Sequence, residues 1–315
     1  MKFKRFLTTI MVALFVFFSS NAYLNKLQDK KNIDNYGAEA AENNKGKKVD
    51  NEILVLLVGV DASKNKEMIL KAKKLGAHIA LVSGRPFSGI LPYVKELDLE
   101  HEGHFSISQN GSYIFDNYTK EVITGVFQKP KDLINLDKAL KNFKVQVSAM
   151  DDDSFYTRHK NPNILTRFDS FITKLKLQKV SYKDFDEDKN FGRFLVMGWP
   201  WNIEKVMDNM PSFVNENYYY AKTAPVLIEV MNKNANKGNA IKLMSEKLGF
   251  KIDEIMAIGN EMNDIPMLDM AGFSVAMENA NDYLKPHADY ITLSNNKAGV
   301  GEAIEKLIEN NFEKF

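Results

Sequence analysis

The 315-residue chain is 44% hydrophobic and 26% charged, with a formal net charge of +1, a composition that can bury a full core as two domains or one large one. That balance, with no face of clustered arginine and aromatic residues, argues against a nucleic-acid partner. The chain has no cysteine, which excludes disulfides, thiolate metal sites, cysteine nucleophiles and a lipidated cysteine, so any metal must be held by oxygen or histidine.

At the N-terminus, Lys2, Lys4 and Arg5 precede an apolar run over 6–18, followed by Ser20, Asn21 and Ala22. This is the pattern of a secretory signal peptide over 1–22. The run is short for a membrane span of about 20 residues, so cleavage near Ala22 is expected. The body then lies outside the cytoplasm, and the membrane is a partner only if the leader stays attached. Residues 23–50 are mostly Lys, Asn, Asp, Glu and Ala, a composition that predicts a disordered, solvated linker.

The run ILVLLVGVDAS over 53–63 predicts a strand buried on both faces, as at the centre of a parallel sheet. Its carboxyl end, where open α/β sheets place their chemistry, carries Gly59, Val60, Asp61, Ala62 and Ser63. Helical periodicity over 65–75 stops at Gly76. A second buried strand over 78–82 ends in Ser83, Gly84, Arg85 and Pro86, so a right-handed parallel crossover follows. An Asn-Gly pair inside SISQNGSYIFD (106–116) predicts a hairpin.

Between 118 and 211 the pattern changes to helices over 130–143, 163–175 and 203–209 and short strands over 145–149, 155–157 and 194–197, which predicts a separate α+β lobe. The βα alternation resumes with strands over 226–230, 255–258, 273–276 and 290–292 and helices over 237–248, 265–270, 283–287 and 299–309. The expected architecture is a doubly wound parallel α/β core over 51–117 and 212–315, interrupted by a lobe over 118–211. Three loops bring polar residues to the carboxyl edge of the core sheet: Ser83-Gly84-Arg85, Asn236-Lys237-Gly238, and the stretch Gly259, Asn260, Glu261, Met262, Asn263, Asp264. Taken singly, each reads as a turn residue, a solvated helix-start lysine or a helix cap.

Taken together, VLLVGVDAS, ALVSGRP, ISQNGSYIFD, NANKGNAIKLM and EIMAIGNEMNDIPMLDMAG with the trailing VAMENA resemble the haloacid dehalogenase superfamily, specifically the Cof-type (type IIB) sugar phosphatases. The resemblance spans residue 51 to the last helix. It implies a Rossmann-like core with an inserted α+β cap, and hydrolysis of phosphate monoesters through an aspartyl-phosphate with Mg²⁺. On that resemblance Ser63, Ser83, Gly84 and Lys237 face the phosphoryl group and Asn260 and Asp264 occupy the metal loop. Asp61 takes the acid/base position, while Arg85, Asn110, Asn263, Asp151 and Tyr156 are the candidates for contacts to substrate and cap.

The departures fall on the chemistry itself. The position of the family's nucleophilic Asp is Gly59, the metal Asp that follows Gly259 is Asn260, and Ala62 and Ser63 replace Gly and Thr. Glycine has no oxygen for in-line attack, and Mg²⁺ favours hard, charged oxygens. The segment after Ser63 is also too short for the family's flap hairpin. The expectation is an exported homologue with an impaired phosphatase site, in which Mg²⁺ is weak or absent and a phosphorylated small molecule can still bind. Two alternatives stay open: an active Mg²⁺-dependent phosphatase in a shifted register with Asp61 as nucleophile, and a protein-binding module that uses the cap.

Overall fold

The computed structural model describes residues 54–57 and 63–311. The expected leader (1–22), the linker (23–50) and the positions Gly59 and Asp61 lie outside the described residues. Strand β1 (Leu54–Leu57) pairs in parallel with β2 (His78–Val82) on one side and β12 (Ile255–Gly259) on the other. β2 continues in parallel to β3 (Phe105–Ser108), and β12 to β13 (Phe273–Met277) and β14 (Tyr290–Thr292). The chain therefore leaves β1 in one direction and returns on its other side, which makes the carboxyl ends of β1, β2 and β12 a topological switch point.

The Asn-Gly hairpin forms as expected. β4 (Tyr113–Asp116) returns antiparallel to β3, and β5 (Val122–Gly125) closes that edge of an eight-stranded sheet. The covering helices are α1 (Ser63–Lys74), α2 (Phe87–Glu96) and, from the C-terminal half, α7 (Lys237–Leu248), α8 (Ile265–Met270) and α9 (Gly299–Glu309). α1 starts at Ser63 itself. Ile69 and Ala72 of α1, Ile90 and Val94 of α2, and Ile241 and Met244 of α7 are buried with Val55, Ile79 and Ile258 in a single core.

The inserted lobe is a six-stranded sheet in the order β10-β11-β9-β6-β7-β8. Its strands are β6 (Val145–Met150), β7 (Ser154–Thr157), β8 (Lys176–Lys179), β9 (Arg193–Gly198), β10 (Tyr218–Ala224) and β11 (Leu227–Asn232). Helices α3 (Pro130–Ala139), α5 (Pro200–Asp208) and α6 (Ser212–Asn217) supply Leu133, Leu136, Ile203, Val206 and Val214 to a second core against Val147, Phe194, Val196 and Val230. α4 (Ile164–Thr173) connects β7 to β8, which run parallel.

The lobe boundaries differ from the expected 118–211. β5 belongs to the core sheet, whereas the strand expected over 226–230 is β11, paired antiparallel with β9 and β10 in the cap. Apolar alternation marks a strand but does not say which sheet receives it.

Candidate functional site

Ser83 follows β2 directly, and three bonds hold its loop. Its N–H donates to the Ile107 carbonyl (2.9 Å), its carbonyl accepts from Asn110 N–H (3.1 Å) and its Oγ accepts from Arg85 N–H (3.2 Å). The β3–β4 turn that meets it has three successive residues at positive φ: Gln109 (46°), Asn110 (59°) and Gly111 (100°). Asn tolerates that region and Gly adopts it freely. Gly111 has a further constraint, since a Cβ there would lie 2.4 Å from the Asn236 carbonyl oxygen.

Asn236 caps α7, its Oδ1 accepting from Asn239 N–H (2.9 Å), an ordinary use of Asn at this position. The cap fixes Lys237 in the first turn of the helix. There the Lys237 ammonium donates to Asp264 Oδ1, and both side chains are buried, at 3% and 0% exposure. The other oxygen, Oδ2, accepts from the backbone N–H groups of Asn260 and Glu261, each at 2.9 Å. Asn263 Nδ2 then donates to Asn110 Oδ1 at 3.0 Å. The loops after β2, β3 and β12 and the start of α7 are thus linked, in that order, by one chain of hydrogen bonds.

Ser83, Gly84, Asn110, Lys237, Asn263 and Asp264 therefore lie along one set of linked loops. Gly84 lies so close to Asn110 that a Cβ would sit 3.0 Å from Asn110 Oδ1. Asn260 contributes through its backbone, and Ser63 is placed as the first residue of α1. Arg85 reaches along the neighbouring α2, with Nη1 donating to Tyr93 Oη (3.3 Å) and the guanidinium 5.8 Å from the ring centroid.

Asp151 and Tyr156 brace the cap. Asp151 Oδ2 accepts from Tyr156 Oη (2.8 Å) and Lys189 Nζ (2.6 Å), while Oδ1 accepts from Asp153 and Ser154 N–H. The residue that reaches the core is the next one. Both carboxylate oxygens of Asp152 lie 2.9 Å from Phe87 N–H at the start of α2, and Oδ1 also accepts from Ser108 Oγ (3.0 Å) and Gln109 Nε2 (3.4 Å). Burial pushes its carboxyl up to about 6, against the lowering effect of those hydrogen bonds. Three successive aspartates, 151–153, in a tight turn were the available signal, but they do not tell which one points at the core.

The described residues do not fit the Mg²⁺ that the family resemblance implies. A magnesium site needs near-octahedral oxygen donors, usually including one or two carboxylates. Here Asp264 is the carboxylate whose side chain joins these loops, and Lys237 and two N–H groups already engage its oxygens. Its neighbour at the metal-loop position is the neutral Asn260.

A family model described as haloacid dehalogenase-like hydrolase matches residues 60–304, a segment that starts just after Gly59. The Bacillus subtilis protein YxeH is 30% identical over 243 residues, 77% of this chain and 90% of that protein. The Bacillus subtilis 5-amino-6-(5-phospho-D-ribitylamino)uracil phosphatase YcsE is 28% identical over 247 residues, 78% of this chain and 88% of that protein. Among solved structures, a haloacid dehalogenase-like hydrolase from Bacteroides thetaiotaomicron superposes with a TM-score of 0.70 at 26% identity, covering 82% of this chain and 99% of that one.

Proposed function

The chain belongs to the haloacid dehalogenase-like hydrolase family, and from that premise we propose that it is an exported Cof-type phosphatase homologue that binds a phosphorylated small molecule and is impaired in its hydrolysis. The observation that carries this reading is the state of Asp264. Its carboxylate is closed off by Lys237 and by the N–H groups of residues 260 and 261, so the half of the site that would gather metal is neutralised, and the α7 N-terminus and Ser83 remain as the half that would gather phosphate.

The binding half has the right chemistry. The N-terminus of α7 directs backbone N–H groups and the positive end of the helix dipole toward an anion, Lys237 stands in its first turn, and Ser83 brings a hydroxyl from the facing loop. The hydrolytic half lacks its main group, because Gly59 offers no oxygen for attack. Loss of a covalent nucleophile costs roughly six orders of magnitude in turnover. In the family, bound Mg²⁺ supplies charge neutralisation to the transferring phosphoryl group. Here Asp61 could still move a proton at a leaving oxygen, but no bond to phosphorus would have been made. The phosphorylated class of ligand rests on family membership and on the name of the relative YcsE. Export rests on the residues of the leader.

The test is calorimetry in EDTA with inorganic phosphate and glucose 6-phosphate, beside a phosphatase panel with and without Mg²⁺. Heat that weakens with salt and with Ser83→Ala is expected, and no Mg²⁺-dependent turnover unless Gly59→Asp and Asn260→Asp are introduced together. Robust turnover by the parent chain, abolished by Asp61→Asn, would overturn the reading in favour of the shifted register. For export, the secreted protein should begin near Tyr23, and an N-terminus at Met1 would show an attached leader instead.

A further inference from the structure

The far end of the cap carries a feature that the phosphate site does not use. β6 and β9 run side by side for six residues each, from Met150 and Arg193 next to the Asp152 turn to Val145 and Gly198. At ~3.3 Å per residue, this far end is about 20 Å from the turn. A recess of about 530 Å³ opens there, its walls including Gln146, His159, Asn163, Trp199, Trp201 and Asn202. That size lies within the range of small-ligand sites, which combine aromatic walls with a few converging polar groups.

Both tryptophans of the chain are in this recess. Their rings lie parallel, at 10° with centroids 5.8 Å apart, and Trp201 is 53% exposed beside Ile164 at 67%. Such exposure leaves a large apolar ring face in water without contributing to the core. One buried polar atom on the wall, His159 Nε2, also lacks a partner among the described residues. On the same wall Asn202 is 7% exposed, its Nδ2 donates to the Lys144 carbonyl (3.1 Å), and no hydrogen bond engages its Oδ1. Buried polar atoms are nearly always paired, with protein, water or a ligand. Burial, with the nearby Arg158 charge, holds the His159 imidazole below its usual range, and Lys144 is the one other ionisable side chain on the wall.

We propose that this recess is a saccharide-binding site, in which an uncharged sugar ring lies on the open face of Trp201 and its hydroxyls bond the side chains around Asn202. Gln146 and Asn163 Oδ1 are engaged within the protein, which leaves Asn202 Oδ1, Asn163 Nδ2 and His159 Nε2, uncharged atoms that suit a ligand whose hydroxyls donate and accept at once. A phosphate would meet only one cation there, and its desolvation would go largely uncompensated. A ring with one apolar C–H face and a polar rim matches an aromatic floor edged with amides.

The tryptophans themselves report on the site, since selective indole excitation sees nothing else in the protein. Titrating the full chain with maltotriose, cellotriose and chitotriose should give a saturable fluorescence change with at least one of them. Trp201→Ala should abolish that binding with the far-UV circular dichroism unchanged, and Asn202→Leu should weaken it by about tenfold while the thermal midpoint shows the protein folded. The proposal is overturned if none of the three gives a saturable change, or if glucose 6-phosphate or adenosine binds the recess more tightly than any of them.

Discussion

Cutting the buried pair between Lys237 and Asp264 tests how the site is held. Asp264→Leu removes the only acceptor that the Lys237 ammonium has among the described residues, and it strands the N–H groups of Asn260 and Glu261. Removing one partner of a buried ion pair costs about 3–5 kcal/mol, and each stranded amide adds about 1 kcal/mol or more. Lys237→Met is milder, because the carboxylate keeps both N–H donors, and about 3 kcal/mol is expected. At roughly 2–4 °C per kcal/mol for a body of this size, Lys237→Met should lower the melting midpoint by about 6–12 °C and Asp264→Leu by more. The double substitution should recover part of the loss, because no uncompensated charge is left buried. Thermal denaturation followed by near-UV circular dichroism measures all three. If Asp264→Leu melts within about 2 °C of the parent, the pair does not hold the loops and the reasoning is wrong.

Metal removal is expected to be silent: a ligand that binds only the folded state raises its stability, so adding Mg²⁺ or EDTA should leave the melting midpoint unmoved, and a rise with Mg²⁺ would reveal a site. Burial raises Asp152 from 3.8 to about 6, so its contribution to stability is fully present below the lower value and is lost as pH rises through the upper one. Asp152→Asn should remove that slope, up to about 3 kcal/mol, and be the more stable protein at pH 7, as urea titrations across this range would show. Gln128 is 1% exposed and both atoms of its side-chain amide lack partners among the described residues, so Gln128→Leu should raise stability by about 1–3 kcal/mol, while its backbone pairing with Phe191 is untouched. Gly111→Ala puts a methyl 2.4 Å from the Asn236 carbonyl oxygen at a φ of 100° and should cost about 2–4 kcal/mol; a stability equal to the parent's in the same titrations would mean the turn is not where we place it.

Much of the core was legible because its strands are short apolar runs flanked by turn residues, as in HIALV before Ser83 and IMAIG before Asn260. The Asn-Gly pair announced the β3–β4 turn, and three loops converged because parallel strands put their carboxyl ends on one edge. Other elements left no trace in the pattern. The α2 helix has Pro86 before it and Pro92 inside it, residues that read as breaks. β10 is an edge strand with little of its surface buried, so YYYAKTA shows no clean alternation. In the cap Asp151 and Tyr156 are the residues that the sequence singles out, but the carboxylate that meets the core belongs to Asp152. The three successive aspartates 151–153 are chemically identical, and only the path of the β6–β7 turn separates them.

The β3–β4 turn has a consequence for time rather than for structure. Gln109 Nε2 donates to the Asp151 carbonyl, Ser112 Oγ donates to the Gly192 carbonyl, Asn110 accepts from Asn263 and Gly111 lies against Asn236. Four neighbouring residues, three of them at positive φ, therefore grip the cap on one side and the Lys237 helix on the other, with little slack to bend between the two. A molecule held under the cap would leave when this turn lets go.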